Sequence, residues 1–391
     1  MKYTCDVVVV GAGPGGSLAA KHAALGGLDT ILIEKKAEIG APLRCAEGVS
    51  RRRLIEVGIE PDQKWISQEI LGSIMRSPSG HTLKVVEAHG DHGVGYVLER
   101  HLFDKAVAEQ AVHAGAKIMM RTGCTGVIRN PEGKLIGIQA RSMGAEIEIY
   151  AKCIVAADGF ESQTARWAGV DTSVGANDVD TCIQYRMTNV DIEHEFCEFR
   201  IGSATPGGYL WIFPKGKGIA NVGLGIQGSK CKGKADPKYY LDKCIERDER
   251  LRNGQILEVS GGGVSTSAGL ECSVADNLVI VGDAARIINP LTGGGIYHAC
   301  MTGKLAGEVI SKCAKNNSFS KEALMEYDTA WRAKIYSELE RNWRIKEKFV
   351  EMPDELLDEF ILAISDYDLK QIRIDDLLEA AKEKFPQILE N

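Results

Sequence analysis

The 391-residue sequence lacks several features that would each indicate another class of protein. No apolar run reaches the roughly 18 residues that a membrane-spanning helix needs, and residues 1–4 lead directly into a predicted strand. We therefore expect no transmembrane segment and no signal peptide. A net charge of −7 and the lack of a basic tail argue against a nucleic-acid partner. These absences predict a cytoplasmic protein that contacts a membrane only peripherally.

Closely spaced cysteines are also missing. The chain has 11 cysteines, but no two of them are closer than 13 residues. The short spacings of zinc and iron–sulfur sites are therefore absent, and we expect no metal centre. An odd number in a cytosolic chain argues against a disulfide framework, so we expect most of these cysteines to be small buried residues.

The segment 5–34 has the pattern of a nucleotide-binding βαβ unit. A buried strand is predicted at 7–10, a helix at 18–25 and a second strand at 30–33. The glycines of the loop between the first strand and the helix are Gly11, Gly13, Gly15 and Gly16. Glu34 ends the second strand, 18 residues after the last glycine, where a carboxylate accepts hydrogen bonds from ribose hydroxyls. The segment therefore predicts a dinucleotide site.

Two later strands are followed by a glycine next to an aspartate. A predicted strand at 153–157 runs into Asp158-Gly159, within a strand-rich stretch that also includes a predicted strand at 146–150. Another strand at 278–281 runs into Gly282-Asp283, which precedes a glycine-rich loop and a predicted helix. The second motif predicts a further cofactor loop.

Together the three motifs resemble the FAD-dependent p-hydroxybenzoate hydroxylase superfamily. The resemblance implies FAD as the cofactor, with Asp283 at its ribityl or ribose chain and with Gly295 and Ile296 beside the flavin ring. The motif at Asp158 departs from the hydroxylase pattern, because Arg166 comes one residue late. This shift argues against hydroxylase chemistry.

The segment 206–214 matches the P(x)nYxWxFP pattern of geranylgeranyl reductases. Strand alternation places Tyr209, Trp211 and Phe213 on one face. We expect this face, with Pro214, to line an apolar slot that binds an isoprenoid chain. An aromatic stripe within the protein core is the alternative interpretation.

The segments 40–50 and 96–104 resemble the archaeal branch of the geranylgeranyl reductase family, and the resemblance extends from residue 1 to about residue 345. It implies a geranylgeranylated glycerophospholipid as the substrate, which would supply the membrane contact. Ferredoxin, a reduced deazaflavin and NAD(P)H all stay open as the external electron donor. The resemblance places these residues at the FAD: Cys45, Ala46, Gly48, Arg100 and Cys124.

An isolated alkene offers no carbonyl to polarise, so we expect reduced FAD to supply a hydride while the protein excludes water and supplies a proton. The candidate proton donors are Tyr209 and Cys45, whose thiol lies beside Arg44 in sequence and so can have a lowered pKa. A redox-active pair of Cys45 with Cys300 is a further hypothesis. The alternatives are an aromatic-ring monooxygenase, a reductase of a chlorophyll or quinone tail, and a non-enzymatic flavin-binding or lipid-carrier protein.

The expected fold is α/β with α+β insertions, in two domains and a helical appendage. A Rossmann-like FAD-binding domain with a parallel sheet takes residues 1–70, 97–179 and 265–318. An antiparallel-sheet substrate domain takes residues 71–96 and 180–264. A C-terminal helical region, with a last helix at 375–384, takes residues 319–391.

Overall fold

The computed structural model describes residues 1–86, 94–231, 233 and 236–365. The predicted helix at 375–384 lies outside these residues. The described strands follow the chain as β1 (Lys2–Val10), β2 (Thr30–Ile33), β3 (Gly48–Ser50), β4 (Ile66–Ile70), β5 (Gly72–Arg76), β6 (Thr82–Val86), β7 (Gly95–Leu98), β8 (Lys117–Met119), β9 (Thr122–Arg129), β10 (Leu135–Ser142), β11 (Ala145–Ala156), β12 (Val179–Thr188), β13 (Phe196–Arg200), β14 (Leu210–Pro214), β15 (Ile219–Gln227), β16 (Gln255–Ser265), β17 (Val274–Ala275) and β18 (Leu278–Ile280). The described helices are α1 (Pro14–Leu25), α2 (Arg51–Glu56), α3 (Arg100–His113), α4 (Gln163–Trp167), α5 (Pro237–Arg247), α6 (Ile296–Lys315), α7 (Lys321–Phe349) and α8 (Asp354–Ser365).

The chain divides into two compact units, each assembled from separate stretches. The first contains Met1–Ala41, Arg100–Val174 and Ser265–Arg341, and the second contains Pro42–Glu99, Gly175–Val264 and the described part of Asn342–Asn391. This division differs from the predicted domain boundaries. Residues 42–70, 97–99 and 175–179 belong to the second unit rather than the first, and α7 runs from the first unit into the second instead of forming a separate helical region.

A mixed sheet forms the centre of the first unit. Its order is β17-β18-β11-β1-β2-β8, and β18, β11, β1, β2 and β8 pair in parallel. The β1 residues Val7 to Val10 are all buried, as expected for a parallel strand covered on both faces. The predicted strands at 146–150 and 153–157 are one strand, β11, which pairs with β1 from Glu148 to Ala156 and, on its other edge, first with β10 and then with β18.

The second unit contains a mostly antiparallel sheet in the order β16-β12-β15-β14-β13-β5-β6, in which β13 and β5 pair in parallel, and a small sheet β3-β7-β4. Alternation gives the larger sheet two apolar faces. Leu210 and Ile212 lie on one face, where Leu241 of α5 packs on them, whereas Trp211 and Phe213 lie in a separate cluster on the other. Helix α8 covers β6 through Phe360 and neighbouring residues.

The fold class is therefore confirmed: a parallel sheet, antiparallel sheets and C-terminal helices occur in one chain. None of the helices in the described residues combines the length and the apolarity that a bilayer span requires.

Helices α1 and α6 of the first unit pack backbone against backbone. A Cβ atom on Gly303 would lie 2.0 Å from the carbonyl oxygen of Gly15, and one on Gly307 would lie 2.6 Å from that of Ala19. Real Cβ atoms do not approach backbone this closely, so any side chain at these positions must separate the helices. The two glycines of α6 therefore fix the distance between the helices.

We expect Gly303→Ala to lower the free energy of unfolding by about 3 kcal/mol or more, because overpacked backbone has no flexible side chain to displace. Thermal and denaturant unfolding of the purified protein measures this. The matched control is Lys304→Ala at the next position of α6, which should change stability little. Equal stability of both variants would contradict the proposed packing constraint.

Candidate functional site

The glycine and aspartate motifs of the first unit follow neighbouring parallel strands. Gly11 comes directly after β1, whereas Asp158 follows β11 and Gly282 follows β18, each after one intervening residue, and these three strands lie side by side. Glu34 comes directly after β2, on the other side of β1. Because parallel strands end at the same edge of a sheet, the motifs share one edge, where open α/β sheets bind their ligands.

The glycine loop after β1 combines tight packing with an open space. Gly11 has a φ of +103°, and a Cβ atom on Gly16 would lie 1.9 Å from the Gly11 carbonyl oxygen. A Cβ atom on Gly15 would approach the Ala299 carbonyl oxygen to 3.1 Å. Gly13, by contrast, has no heavy atom within 4 Å of its Cβ position. The other glycines shape the loop, and Gly13 leaves room for a pyrophosphate.

The Glu34 carboxylate is held in place by backbone amides. The N–H of Ala12 donates to Oε2 at 3.0 Å, and the N–H of Lys36 donates to Oε1 at 2.9 Å. The side chain is buried at the edge of the glycine loop. Each oxygen retains capacity for a second hydrogen bond, so the carboxylate can accept from ribose hydroxyls as the sequence predicts.

The Asp158 motif is linked to the Gly282 motif. The hydroxyl of Ser162 donates to the Ala284 carbonyl oxygen at 2.8 Å, and Asp158 Oδ2 accepts from the Thr164 N–H at 2.8 Å. Asp158 Oδ1 is buried and has no hydrogen-bond partner among the described residues. A buried acceptor without a donor is costly in an empty site, so this atom fits a site that a ligand completes.

Asp283 lies among three of the other predicted cofactor residues. A Cβ atom on Gly295 would lie 3.0 Å from Asp283 Oδ1, and Gly295 immediately precedes Ile296, the first residue of α6. Burial raises the pKa of Asp283, and the nearby Arg100 guanidinium opposes this rise. Arg100 itself binds Asp104 through two hydrogen bonds of 2.8 and 2.9 Å. The structure thus brings Asp283, Gly295, Ile296 and Arg100 together, and their contacts with FAD stay a prediction.

Two cysteines of this unit are protonated at neutral pH. Burial raises the pKa of Cys124 to about 11 and that of Cys300 to about 12. The Cys124 thiol donates to the Gly126 carbonyl oxygen at 3.4 Å. The adenine-side role of Cys124 and the pairing of Cys300 with Cys45, a residue of the second unit, stay predictions.

The first unit therefore fits FAD. The space at Gly13 suits the pyrophosphate, the Glu34 carboxylate suits the ribose, and Asp158 Oδ1 is an acceptor that still lacks a donor. Within the part of the chain that the structure describes, no group of three His, Cys, Asp or Glu side chains is placed to hold a metal ion.

In the second unit, the loop that contains Cys45 is tied to the antiparallel sheet. Gln184 of β12 donates to the Cys45 carbonyl oxygen at 3.0 Å, and Asn221 of β15 donates to that of Ala46 at 3.3 Å. The N–H of Glu47 donates to Cys45 Sγ at 3.2 Å. A Cβ atom on Gly48 would lie 2.7 Å from the Phe213 ring. Side chains of the sheet therefore contact Cys45, Ala46 and Gly48 of this loop.

A buried ion pair anchors the same loop. Lys215 Nζ lies 2.6 Å from Glu47 Oε2, and both side chains are fully buried. Lys215 also lies 3.1 Å from Glu99 Oε1, and Arg186 binds Glu99 through two hydrogen bonds of 3.0 Å. Burial alone would raise the pKa of Glu99, but Arg186 and Lys215 lower it. Asn221 donates a further hydrogen bond of 2.6 Å to Glu47 Oε2.

This ion pair holds Glu47 in an unfavourable backbone conformation. Its φ is +80°, in the left-handed region that residues other than glycine adopt at a cost of about 1 to 3 kcal/mol. The partners of the carboxylate offset this cost. The loop is therefore shaped by Lys215 and Asn221 rather than by its own conformational preference.

Tyr209, Trp211 and Phe213 do share one face, as predicted from strand alternation. On this face Cys197, Trp211 and Phe213 of the larger sheet are buried against Ile70 and Val97 of the small sheet, with Ala46, Val94, Cys182, Phe199 and Tyr209 packed against them. We call this set the aromatic face. The rings of Tyr209 and Trp211 meet edge to face at 5.9 Å, and Trp211 Nε1 donates to Gln184 Oε1 at 2.8 Å. Pro214 alternates onto the opposite face.

The two predicted proton donors differ in their surroundings. Burial raises the pKa of Tyr209, so its phenol stays neutral and is a weak acid. Cys45 lies in the anchored loop, and its predicted role stays a prediction. Lys215, Gln184 and Asn221 were not predicted from the sequence. A polar residue inside an otherwise apolar strand was the available signal for Asn221.

Comparison with known protein families gives two matches. The geranylgeranyl reductase catalytic domain family matches residues 178–264, which contain the aromatic segment of β14. The FAD binding domain family matches residues 6–51, which contain the glycine loop and Glu34. FAD as the cofactor, predicted from the sequence, is confirmed.

Relatives match nearly the whole chain. Digeranylgeranylglycerophospholipid reductase of Methanothrix thermoacetophila is 42% identical over 386 residues, which are 98% of this chain and 97% of the relative. The enzyme of the same name from Methanosarcina acetivorans is 43% identical over 97% of this chain and 93% of its own.

Solved structures agree with this. A geranylgeranyl bacteriochlorophyll reductase-like protein from Thermoplasma acidophilum is 39% identical and superposes with a TM-score of 0.96, covering 100% of this chain and 98% of its own. A flavin-dependent brominase superposes with a TM-score of 0.73 at 18% identity, covering 98% of this chain and 99% of its own. At that identity the brominase shares the fold only.

We expect Gly13→Ala to fold normally but to bind FAD more weakly. Its Cβ atom meets nothing in the protein and instead occupies the space that suits the pyrophosphate. A tenfold rise in the Kd for FAD, which is about 1.4 kcal/mol, with unchanged apoprotein stability is the expected result. Gly16→Ala is the control, since its Cβ atom would strike the Gly11 carbonyl and destabilise the apoprotein itself. Unchanged FAD affinity in Gly13→Ala would contradict this assignment.

We expect Lys215→Met to lower the free energy of unfolding by about 3 to 5 kcal/mol, because it leaves the buried Glu47 carboxylate without its cation. The double variant Lys215→Met, Glu47→Gln should recover part of the loss. The control is Lys243→Met, whose ion pair with Glu246 is exposed. Denaturant unfolding measures stability, and amide hydrogen exchange of residues 42–50 reports the loop. Slow exchange retained in Lys215→Met would contradict the anchoring role.

Proposed function

Because the chain belongs to the digeranylgeranylglycerophospholipid reductase family, we propose that it saturates the isoprenoid double bonds of geranylgeranyl chains in archaeal-type ether glycerophospholipids. Membership confirms the predicted resemblance, and the chain is an FAD-dependent oxidoreductase. The substrate follows the names of relatives that are about 40% identical over almost their full length.

The aromatic face carries the substrate assignment. It presents aromatic and aliphatic side chains and two thiols, and the polar side chains of Gln184 and Asn221 beside them make hydrogen bonds to Trp211 and to the loop of Cys45. An isoprenoid chain has only apolar surface, so it gains about 25 cal/mol for each Å² that it buries against such a face. The face therefore suits a long hydrocarbon chain.

The protein residues of this site position the chain and exclude water. When bound and reduced, FAD supplies the hydride to one alkene carbon. Trp211, held by Gln184, fixes the shape of the aromatic face. Lys215 and Asn221 hold the loop of Cys45, which supports the proposal that this loop lies at the site of reaction. The protein must also supply a proton to the second carbon.

We extend the proposal to peripheral contact with a membrane. The edge strand β16 exposes Ile256, Leu257 and Val259, each by about half or more of its surface. Adjacent exposed apolar residues on a sheet edge favour contact with another apolar phase. A lipid surface fits, because the proposed substrate resides there. The electrons come from ferredoxin, a reduced deazaflavin or NAD(P)H, since each of these three donor classes can reduce a flavin.

The test uses the purified holoenzyme reduced chemically under anaerobic conditions, which removes the need for the natural donor. Digeranylgeranylglyceryl phosphate in detergent is added, and the flavin absorbance and the lipid mass are followed. We expect the flavin to reoxidise while the lipid gains two hydrogens for each double bond, because hydride and proton add together. The fully saturated lipid with the same headgroup is the matched control and should leave the flavin reduced.

Two further arms separate the alternatives. Geranylgeranylated chlorophyll and quinone precursors replace the phospholipid in one arm, and faster reoxidation by either would reassign the substrate. Oxygen enters the other arm after the lipid. Flavin that stays reduced with the lipid until oxygen enters would overturn the reductase proposal in favour of a monooxygenase or of a structural flavin.

A further inference from the structure

Asp180 extends the aromatic face by one more row of residues. In the pairing of β12 with β15, Cys182 lies opposite Gly225 and Asp180 lies opposite Gln227. The N–H of Gly225 donates to the Tyr209 carbonyl oxygen, so Cys182, Gly225 and Tyr209 form one row across the sheet. Because side chains repeat every second residue, Asp180 follows Cys182 on the same face.

Gly225 leaves the space into which the Asp180 carboxyl group points. A Cβ atom on Gly225 would lie 3.1 Å from Cys182 Sγ and 3.6 Å from Asp180 Oδ2. The carboxyl group and the thiol therefore lie over the same glycine, beside Tyr209.

The charged and titratable groups near Asp180 come from four parts of the second unit. They are Lys346 of α7, Cys182 of β12, Cys231 after β15 and Tyr209 before β14. Burial raises the pKa of Asp180 to about 7, and the Lys346 ammonium opposes the rise. Lys346 is itself buried and ion-paired with its neighbour Glu347. A carboxyl group in these surroundings is protonated below neutral pH and releases its proton near it.

We propose that Asp180 is the proton donor of the reduction. The inference rests on the proposed function, and it gives Asp180 the role that the sequence had predicted for Cys45 or Tyr209. A carboxylic acid is a far stronger acid than a buried phenol or a buried thiol, so among the groups around this row it loses its proton most readily.

The chemistry balances for each double bond. The alkene π bond breaks, one carbon gains a hydride from reduced FAD, and the other carbon gains the proton of the Asp180 carboxyl group. The carboxylate that remains has the Lys346 ammonium nearby as its counter-charge. A proton from solvent then restores the acid, and the external donor restores the reduced flavin.

The first experiment needs no lipid. Infrared difference spectra of the oxidised holoenzyme are recorded across neutral pH, with Asp180→Asn as the assigned variant and Asp191→Asn, an exposed residue of the same unit, as the control. We expect a carboxylic acid C=O band that titrates near pH 7 in the wild type and in Asp191→Asn and is absent in Asp180→Asn. A band that persists in Asp180→Asn would overturn the proposal.

The second experiment measures the pH dependence of single-turnover lipid reduction by the chemically reduced holoenzyme. The rate should fall as pH rises through about 7 in the wild type, because only the protonated carboxyl group donates. Asp180→Asn should be slower by about 100-fold or more, and its rate should no longer fall near pH 7. Lys346→Met should shift the fall in rate to higher pH, because the ammonium lowers the pKa of Asp180.

If Asp180 had only a structural role, Asp180→Asn would be slower but its rate would still fall near pH 7, and that result would overturn the proposal. Bound FAD and thermal stability, measured on the same samples, must match the wild type for the comparison to count. Failure of the wild type to reduce the lipid would overturn the proposed function itself, whereas reduction that is unaffected by Asp180→Asn would overturn this inference alone.

Discussion

Backbone packed against backbone at the end of β1 is the constraint on which the cofactor site depends. Gly16 lies against the Gly11 carbonyl, and a Cβ atom on Gly11 would lie 2.4 Å from the carbonyl oxygen of Ala157, just before Asp158. Residues with side chains would force these segments apart. The glycines thus let the ends of β1 and β11 and the start of α1 converge, and the hydrogen bond from Ser162 to Ala284 adds the segment after β18.

In the second unit, buried polar contacts rather than close backbone packing determine the conformation of the loop at Cys45. Its loop at Cys45 contains a single glycine, Gly48, next to a strained Glu47, and it is held by buried polar contacts rather than by close packing. Buried ion pairs add little net stability compared with apolar packing, but they demand one arrangement, because each unpaired charge is costly. The arrangement of Lys215, Glu47, Glu99 and Arg186 therefore gives this loop a unique conformation.

The sequence predicted the elements whose signals are local. Glycine spacing gave the βαβ unit, and alternation gave the aromatic face with Tyr209, Trp211 and Phe213. β16 was missed because its run of glycines hides any alternation, and β11 was divided in two because its pattern changes where its second neighbour changes from β10 to β18. The pairing of Lys215 with Glu47 spans 168 residues, so no local pattern contains it. The same holds for Asp180, whose surroundings are set by α7 and Gly225.

Gln184 has two chemically different ends, and each is used. Its carbonyl oxygen accepts from the Trp211 indole, and its NH2 group donates to the Cys45 carbonyl oxygen. An amide rotated by 180° would place its NH2 group against the indole N–H and its oxygen against the Cys45 carbonyl oxygen, so only one orientation satisfies both contacts. The indole and the loop are consequently not independent targets for redesign. An attempt to widen the aromatic face for bulkier chains by shortening Trp211 would also remove the group that orients Gln184, and the loop at Cys45 would change with it.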